Sequence, residues 1–213
     1  MGDAGVYGVG NFSPDGRMLV SVNAREQIEL WDLATGREVR RLCCMALYGE
    51  VALSPDGRLL AAAGHWPRLW DAATGGEARR LVETRYPTFG PVAFSPDGRL
   101  LAMGSQEGKV CLWDVANGRE LPSSQAHQGY VESLAFHPGG QLLAYGGRSG
   151  SIRLWDISTG DEKPIEARTR TSNAAFSPDG RWLVFGDSTG TVRVWEVSAG
   201  REALSLSTLS PAF

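Results

Sequence analysis

The chain has 213 residues, 42% of them hydrophobic, and 27 glycines, enough for one globular domain with a distributed core. Its net charge of −3 comes from interspersed Arg, Asp and Glu, so there is no basic stripe to track a phosphate backbone, and nucleic acid is not an expected partner. No stretch approaches membrane-spanning length, and Met1-Gly2-Asp3-Ala4-Gly5 puts no basic region before an apolar run, so the expectation is a cytoplasmic protein without a membrane partner.

Two landmarks alternate along the chain. The tetrapeptide Ser-Pro-Asp-Gly has its prolines at Pro14, Pro55, Pro96 and Pro178, and the degenerate His137-Pro138-Gly139-Gly140 fills the gap. Between these turns stand Trp31-Asp32, Trp70-Asp71, Trp113-Asp114, Trp155-Asp156 and Trp195-Glu196. Both landmarks recur about every 40 residues, the period of a propeller blade. Five repeats in one domain spanning 1–213 follow, with blades at about 5–43, 46–83, 88–125, 127–167 and 170–208.

Within the fourth repeat the periodicity predicts four strands: Val131 to Phe136, Leu142 to Tyr145, Ile152 to Trp155, and a more polar run from Glu162 to Ala167. In Ser-Pro-Asp-Gly, Pro presets φ, Asp tolerates the second corner and Gly supplies the left-handed residue, which predicts a three-residue hairpin with a glycine bulge. A second glycine column (Gly36, Gly75, Gly118, Gly160, Gly200) predicts the turn between third and fourth strands. Second strands such as Leu59 to Ala63 and Trp182 to Phe185 read as apolar on both faces, fit to lie between neighbouring sheets. Fourth strands carry the charges and also Pro122 and Pro164, which places them at the outer edge. Phe12, Phe94, Phe136 and Phe176, with Leu53, and the landmark tryptophans are expected to fill the space between blades.

These motifs resemble the WD-repeat β-propeller family, from about Val6 to Leu206, with the phrasing of its bacterial members. A second propeller family shares the Ser-Pro-Asp-Gly turn but not the repeated Leu-Trp-Asp. The resemblance implies an all-β propeller of four-stranded antiparallel blades, non-catalytic and presenting loops on one face of a disc. The family pattern includes a Gly-His pair and a turn Asp that brace each blade. Only Ala126-His127 keeps the His, and Glu107, Ser149 and Thr189 replace the Asp, so no blade is expected to hold the full brace. Five whole blades with no strand shared between the ends predict an incomplete arc or a closed ring with a weak seam, within the range of about four to eight blades that propellers span. Self-association or further blades would complete the ring.

No reaction centre emerges, and neither an enzyme nor a cofactor is expected. Gly186-Asp187-Ser188-Thr189-Gly190 matches a hydrolase nucleophile elbow, but it falls in a strand-to-strand hairpin and no His follows His137. His65, His127 and His137 lie in three separate connections and do not suggest a metal site. Cys43 and Cys44 are adjacent in a strand and unsuited to a disulfide, and with Cys111 they read as structural thiols. The turn aspartates Asp15, Asp56, Asp97 and Asp179 read as turn formers bonded to local backbone.

The expected function is a protein–protein interaction scaffold. The alternative, a small-ligand or glycan-binding propeller, should repeat its ligand residues in every blade, whereas here the loops diverge while the scaffold repeats. The expected partner face carries the fourth-to-first and second-to-third connections. Its candidate contacts are Tyr48, His65, Trp66, Tyr86, Gln106, Tyr130, Arg148, Arg168 and Arg170, because aromatic and Arg side chains on loops are frequent interface anchors.

Overall fold

The structure, a computed structural model, describes residues 11–13, 15–23, 25, 27–43, 50–64, 67–81, 88, 90–124, 129–148, 150–166 and 170–207. These form five four-stranded antiparallel sheets and no helix. The first sheet is β1 (Asn11–Phe12), β2 (Met18–Val22), β3 (Gln27–Asp32) and β4 (Arg37–Cys43). The second is β5 (Val51–Leu53), β6 (Leu59–Ala62), β7 (Arg68–Asp71) and β8 (Glu77–Arg80). The third is β9 (Val92–Phe94), β10 (Leu100–Gly104), β11 (Val110–Asp114) and β12 (Glu120–Leu121). The fourth is β13 (Val131–Phe136), β14 (Leu142–Gly147), β15 (Ser151–Asp156) and β16 (Glu162–Glu166). The fifth is β17 (Thr171–Phe176), β18 (Trp182–Asp187), β19 (Thr191–Glu196) and β20 (Arg201–Ser207). Strands follow chain order within each sheet, and every Trp of the Trp-Asp landmark lies on a third strand.

The first strands of neighbouring sheets converge (β1 on β5, β5 on β9, β9 on β13, β13 on β17), while the charged fourth strands form the outer edge. Pro164 lies in β16, where its missing N–H faces no further strand.

The turn between first and second strands differs from the three-residue hairpin expected from its sequence. Ser54 N–H donates to Leu59 O at 2.8 Å, and Leu59 N–H returns to the Ser54 hydroxyl at 2.9 Å, so four residues loop out between them. The serine side chain stands in for a backbone acceptor, which sequence spacing alone does not reveal. The same serine donates to the turn aspartate: Ser13 to Asp15, Ser54 to Asp56 and Ser95 to Asp97 at 2.6 Å, and Ser177 to Asp179 at 2.5 Å. Gly57, at φ +70°, closes the turn in a conformation that an L side chain rarely adopts.

Where the fourth repeat has His137, the ring makes a different set of bonds. Its Nδ1 accepts from Gly139 N–H at 2.9 Å, which leaves Nε2 as the donor to Gly180 O, 3.1 Å away in the next blade. The ring also meets Phe176 edge-on at 5.2 Å. One ring nitrogen thus holds its own turn and the other ties it to the turn of the next blade.

The seryl hydroxyl first, then the arginine backbone N–H, hold the carboxyls of Asp15, Asp56, Asp97 and Asp179 below the ordinary value of 3.8. Backbone and hydroxyl bonds from Thr35 and Thr74 do the same for Asp32 and Asp71. A carboxyl depressed in the folded state stabilises it above its unfolded value and loses that contribution as pH falls through the folded one. Urea unfolding midpoints are therefore expected to hold steady above about pH 5 and to fall progressively below about pH 4, with Asp97→Asn blunting part of the decline. An unchanged slope in the variant would remove these turns as the cause.

Four apolar clusters bridge the four pairs of adjacent sheets. Each sheet offers its successor a forward face, Val20 and Leu30 in the first, Ala61 and Leu69 in the second, Ala102 and Leu112 in the third, Ala144 and Leu154 in the fourth. Each landmark Trp after the first packs backward on its predecessor: Trp70, Trp113, Trp155 and Trp195. The corresponding forward residues of the fifth sheet, Val184 and Val194, belong to no such cluster, and Leu204 and Leu206 beside them are 50% and 51% exposed. At the other end Phe12 is 66% exposed. The five sheets form an open arc, not a closed ring.

Two expectations are corrected by that opening. Phe12 does not fill a space between blades, because among the described residues no sheet packs behind the first. In β18 only alternate residues, Leu183, Phe185 and Asp187, are buried, because among the described residues no sheet packs on its forward face.

The blade brace is also rearranged. Trp31 Nε1 donates to Ser21 at 3.0 Å, but Met103 and Phe185 stand at the position equivalent to Ser21 in the blades of Trp113 and Trp195, whose buried Nε1 atoms meet no acceptor among the described residues. The second-to-third turns are held instead from the end of the second strand. Asn23 Oδ1 accepts from Arg25 and Gln27 N–H, Ser105 Oγ from Lys109 N–H, and Asp187 Oδ1 from Thr189 and Thr191 N–H, while Arg193 pairs with Asp187 Oδ2 at 3.3 Å. Burial pushes the Asp187 carboxyl up, and the Thr189, Thr191 and Arg193 hydrogen bonds outweigh it, so the group stays below its ordinary value.

Candidate partner-binding face

Of the nine residues singled out in the sequence, Gln106, Tyr130, Arg148 and Arg170 are described, and Tyr48, His65, Trp66, Tyr86 and Arg168 lie outside the described residues. Tyr130, Arg148 and Arg170 come together where the fourth and fifth blades meet. Arg148 Cζ lies 4.6 Å from the centre of the Tyr130 ring. Arg148 Nε donates to Glu132 Oε1 at 3.0 Å, and Arg170 Nε donates to Glu132 Oε2 at 2.5 Å. Gln106 is exposed on the third blade's turn, next to Ser105, whose carbonyl accepts Val131 N–H at 3.2 Å.

The backbone explains why these side chains meet. Val131 pairs with Gly147 and Ser133 with Gly146, so Glu132 is the extra residue of a β-bulge, a device that re-aims a side chain. Gly146 and Gly147 let three segments approach one another. A Cβ on Gly147 would stand 1.9 Å from Tyr130 O, and one on Gly146 would stand 2.6 Å from Thr171 Oγ1 of the next blade. The fifth blade repeats the device with its own bulge between Ser172 and Ala175, where Asn173 takes φ +52° and Ala174 N–H donates to Ser133 Oγ at 2.5 Å. Arg170 is fixed at the start of that strand, its carbonyl accepting Ser188 N–H at 2.9 Å.

Glu132, Gly146 and Gly147 were not singled out from the sequence. The signals were a lone acid in the apolar run Val131 to Phe136 and a Gly-Gly pair ending a strand. The segment Gly186 to Gly190 is the β18–β19 hairpin, without the strand-to-helix turn of a nucleophile elbow. Cys111 is fully buried, and desolvation with the nearby Glu120 pushes its thiol up to about 12, away from reactivity.

Residues 92–114, 118–156 and 169–196 match the WD40 family, described as the WD domain, G-beta repeat. These three stretches are similar to WD repeats. The matched stretches lie in the third, fourth and fifth sheets, and the first two sheets repeat the same topology and landmarks. All five sheets fit a five-bladed WD-repeat propeller with an open ring. No significant match to a curated protein is found. Among the described residues, no helix is long and apolar enough to cross a membrane.

Proposed function

We propose that this chain is a non-catalytic scaffold for protein–protein interaction and that its partner docks on the face carrying the fourth-to-first and second-to-third connections. WD repeats commonly mediate such interaction. The observation that carries the reading is the difference between the two faces. On one, four turns repeat the same Ser–Asp hydrogen bond at 2.5–2.6 Å and offer near-identical surfaces that cannot discriminate a partner. On the other, among the described residues, the fourth and fifth blades assemble an aromatic ring and two guanidiniums around one carboxylate. Tyr and Arg are enriched among interface hot spots, and side chains already held in place lose less entropy on binding.

Affinity capture with mass spectrometry, run with the native chain and with variants, tests the reading. Tyr130→Ala and Arg148→Ala are each expected to weaken capture of the specific partner by about 1–4 kcal/mol, whereas Asp97→Ala should lower stability and leave binding intact. Equal binding losses from both faces, with folding preserved, would refute the assignment.

A further inference from the structure

We infer that the surface formed by Tyr130, Arg148 and Arg170 takes a carboxylate side chain from an acidic segment of the partner, an inference that rests on the binding face proposed above. Glu132 engages each guanidinium only through its Nε, one oxygen to each. An arginine carries five N–H donors in a fixed fork, so among the described residues the terminal amino groups of both side chains are left for a second acceptor. Exposure divides the charges in the same sense. The Arg148 and Arg170 side chains are each 56% exposed and Glu132 is 18% exposed, so the acid is the inner counter-ion and the outward charge is positive.

The acid of the adjoining fifth-blade turn does not cancel that charge. Asp187 is buried and committed to Arg193 at 3.3 Å and to the Thr189 and Thr191 backbone. The Tyr130 ring fixes Arg148 by a cation–π contact and supplies an apolar wall beside the charge. A planar carboxylate spanning two guanidinium ends is the ligand this arrangement fits, since paired charge-assisted hydrogen bonds give both strength and orientation. The chain's net charge of −3 gives no long-range attraction to an acidic segment, so recognition depends on this local pair.

The test uses the full chain and a fluorescein-labelled peptide of alternating glutamate and glycine, with its glutamine counterpart as control, followed by fluorescence anisotropy at low ionic strength. The glutamate peptide is expected to bind at least about tenfold more tightly than the glutamine peptide, and added salt should erode the difference. The double variant Arg148→Gln with Arg170→Gln should abolish the preference, while Arg119→Gln, exposed on the opposite face, should preserve it. Thermal melting of each variant verifies that the fold is retained. Equal binding of the two peptides, or a preference that survives the double variant, overturns the inference. Displacement of the glutamate peptide by inorganic phosphate at far lower concentration than by free glutamate also overturns it, because the site would then belong to phosphate. If the peptides fail while Tyr130→Ala still weakens capture of the native partner, the acidic class falls and the binding face stands.

Discussion

Replacing Trp113 by alanine is expected to lower the unfolding free energy by about 3–5 kcal/mol, the usual cost of emptying a buried aromatic site. Trp113 is fully buried on the backward face of the third blade, where it joins the cluster of Ala61, Ala63, Leu69 and Leu81 from the second. Its loss therefore weakens the contact between blades as well as the packing within one. In an array where each unit touches only its neighbours, a central contact counts toward both halves. Leu206→Ala supplies the contrast. In an open arc Leu206 stands half in water on the forward face of the fifth blade, and its truncation should change stability by less than about 0.5 kcal/mol. In a closed ring it would be covered like Ile165 of the fourth blade, and the same substitution would cost about 2–5 kcal/mol. Denaturant titration of both variants therefore reads out blade packing and closure together. A loss at Leu206 comparable to that at Trp113 would mean that the ring closes in solution.

The blades were legible in the sequence because both landmarks state local demands of the backbone. The left-handed glycine after Pro-Asp and the aspartate that bonds back to its own turn are required wherever that turn occurs, so they recur with the repeat. Strand order and the outward fourth strands follow from periodicity and charge in the same local way. Closure does not. Whether Phe12 and the forward side of β18 are covered depends on the angle between successive sheets, which no period-two pattern carries. The assumption that apolar second strands lie between neighbours held for β6 and β10 and failed for β18 on that ground alone.

The binding face was legible in part for a related reason. Tyr130, Arg148 and Arg170 stood out as aromatic and Arg residues on loops, but what joins them is Glu132, 38 residues from Arg170 in sequence and brought to it by a bulge. The rearranged brace was hidden in a similar way. The turn position at Thr189 carries no acid, although Asp187 two residues earlier holds the turn. A brace defined by what its atoms reach can move along the chain without leaving a motif behind.

Gly147→Ala is expected to damage fold and binding together, and it links the site to its support more directly than a change in any contact residue. Gly147 has no left-handed φ, so backbone preference does not explain the residue; space does. A Cβ there would stand 1.9 Å from the Tyr130 carbonyl oxygen and 3.1 Å from Glu132 N. Both neighbours are backbone and cannot rotate away as a side chain would. The β13 bulge must therefore shift, and overpacking of this kind costs about 1–3 kcal/mol or more. Since the bulge aims Glu132 at the two arginines, the shift should also release Arg148 and Arg170 and weaken partner binding at temperatures where the protein stays folded. Asn23, Ser105 and Asp187 carry side chains at the equivalent strand end in other blades, so an alanine is not excluded by the repeat itself. Ser105→Ala is accordingly the control, expected to cost no more than the one hydrogen bond to Lys109 N–H, about 0.5–1.5 kcal/mol, with binding unchanged. Denaturant unfolding and partner affinity measured on both variants decide the matter. Equal stability losses, or a Gly147→Ala protein that binds normally, would show that the bulge does not set the geometry of the face.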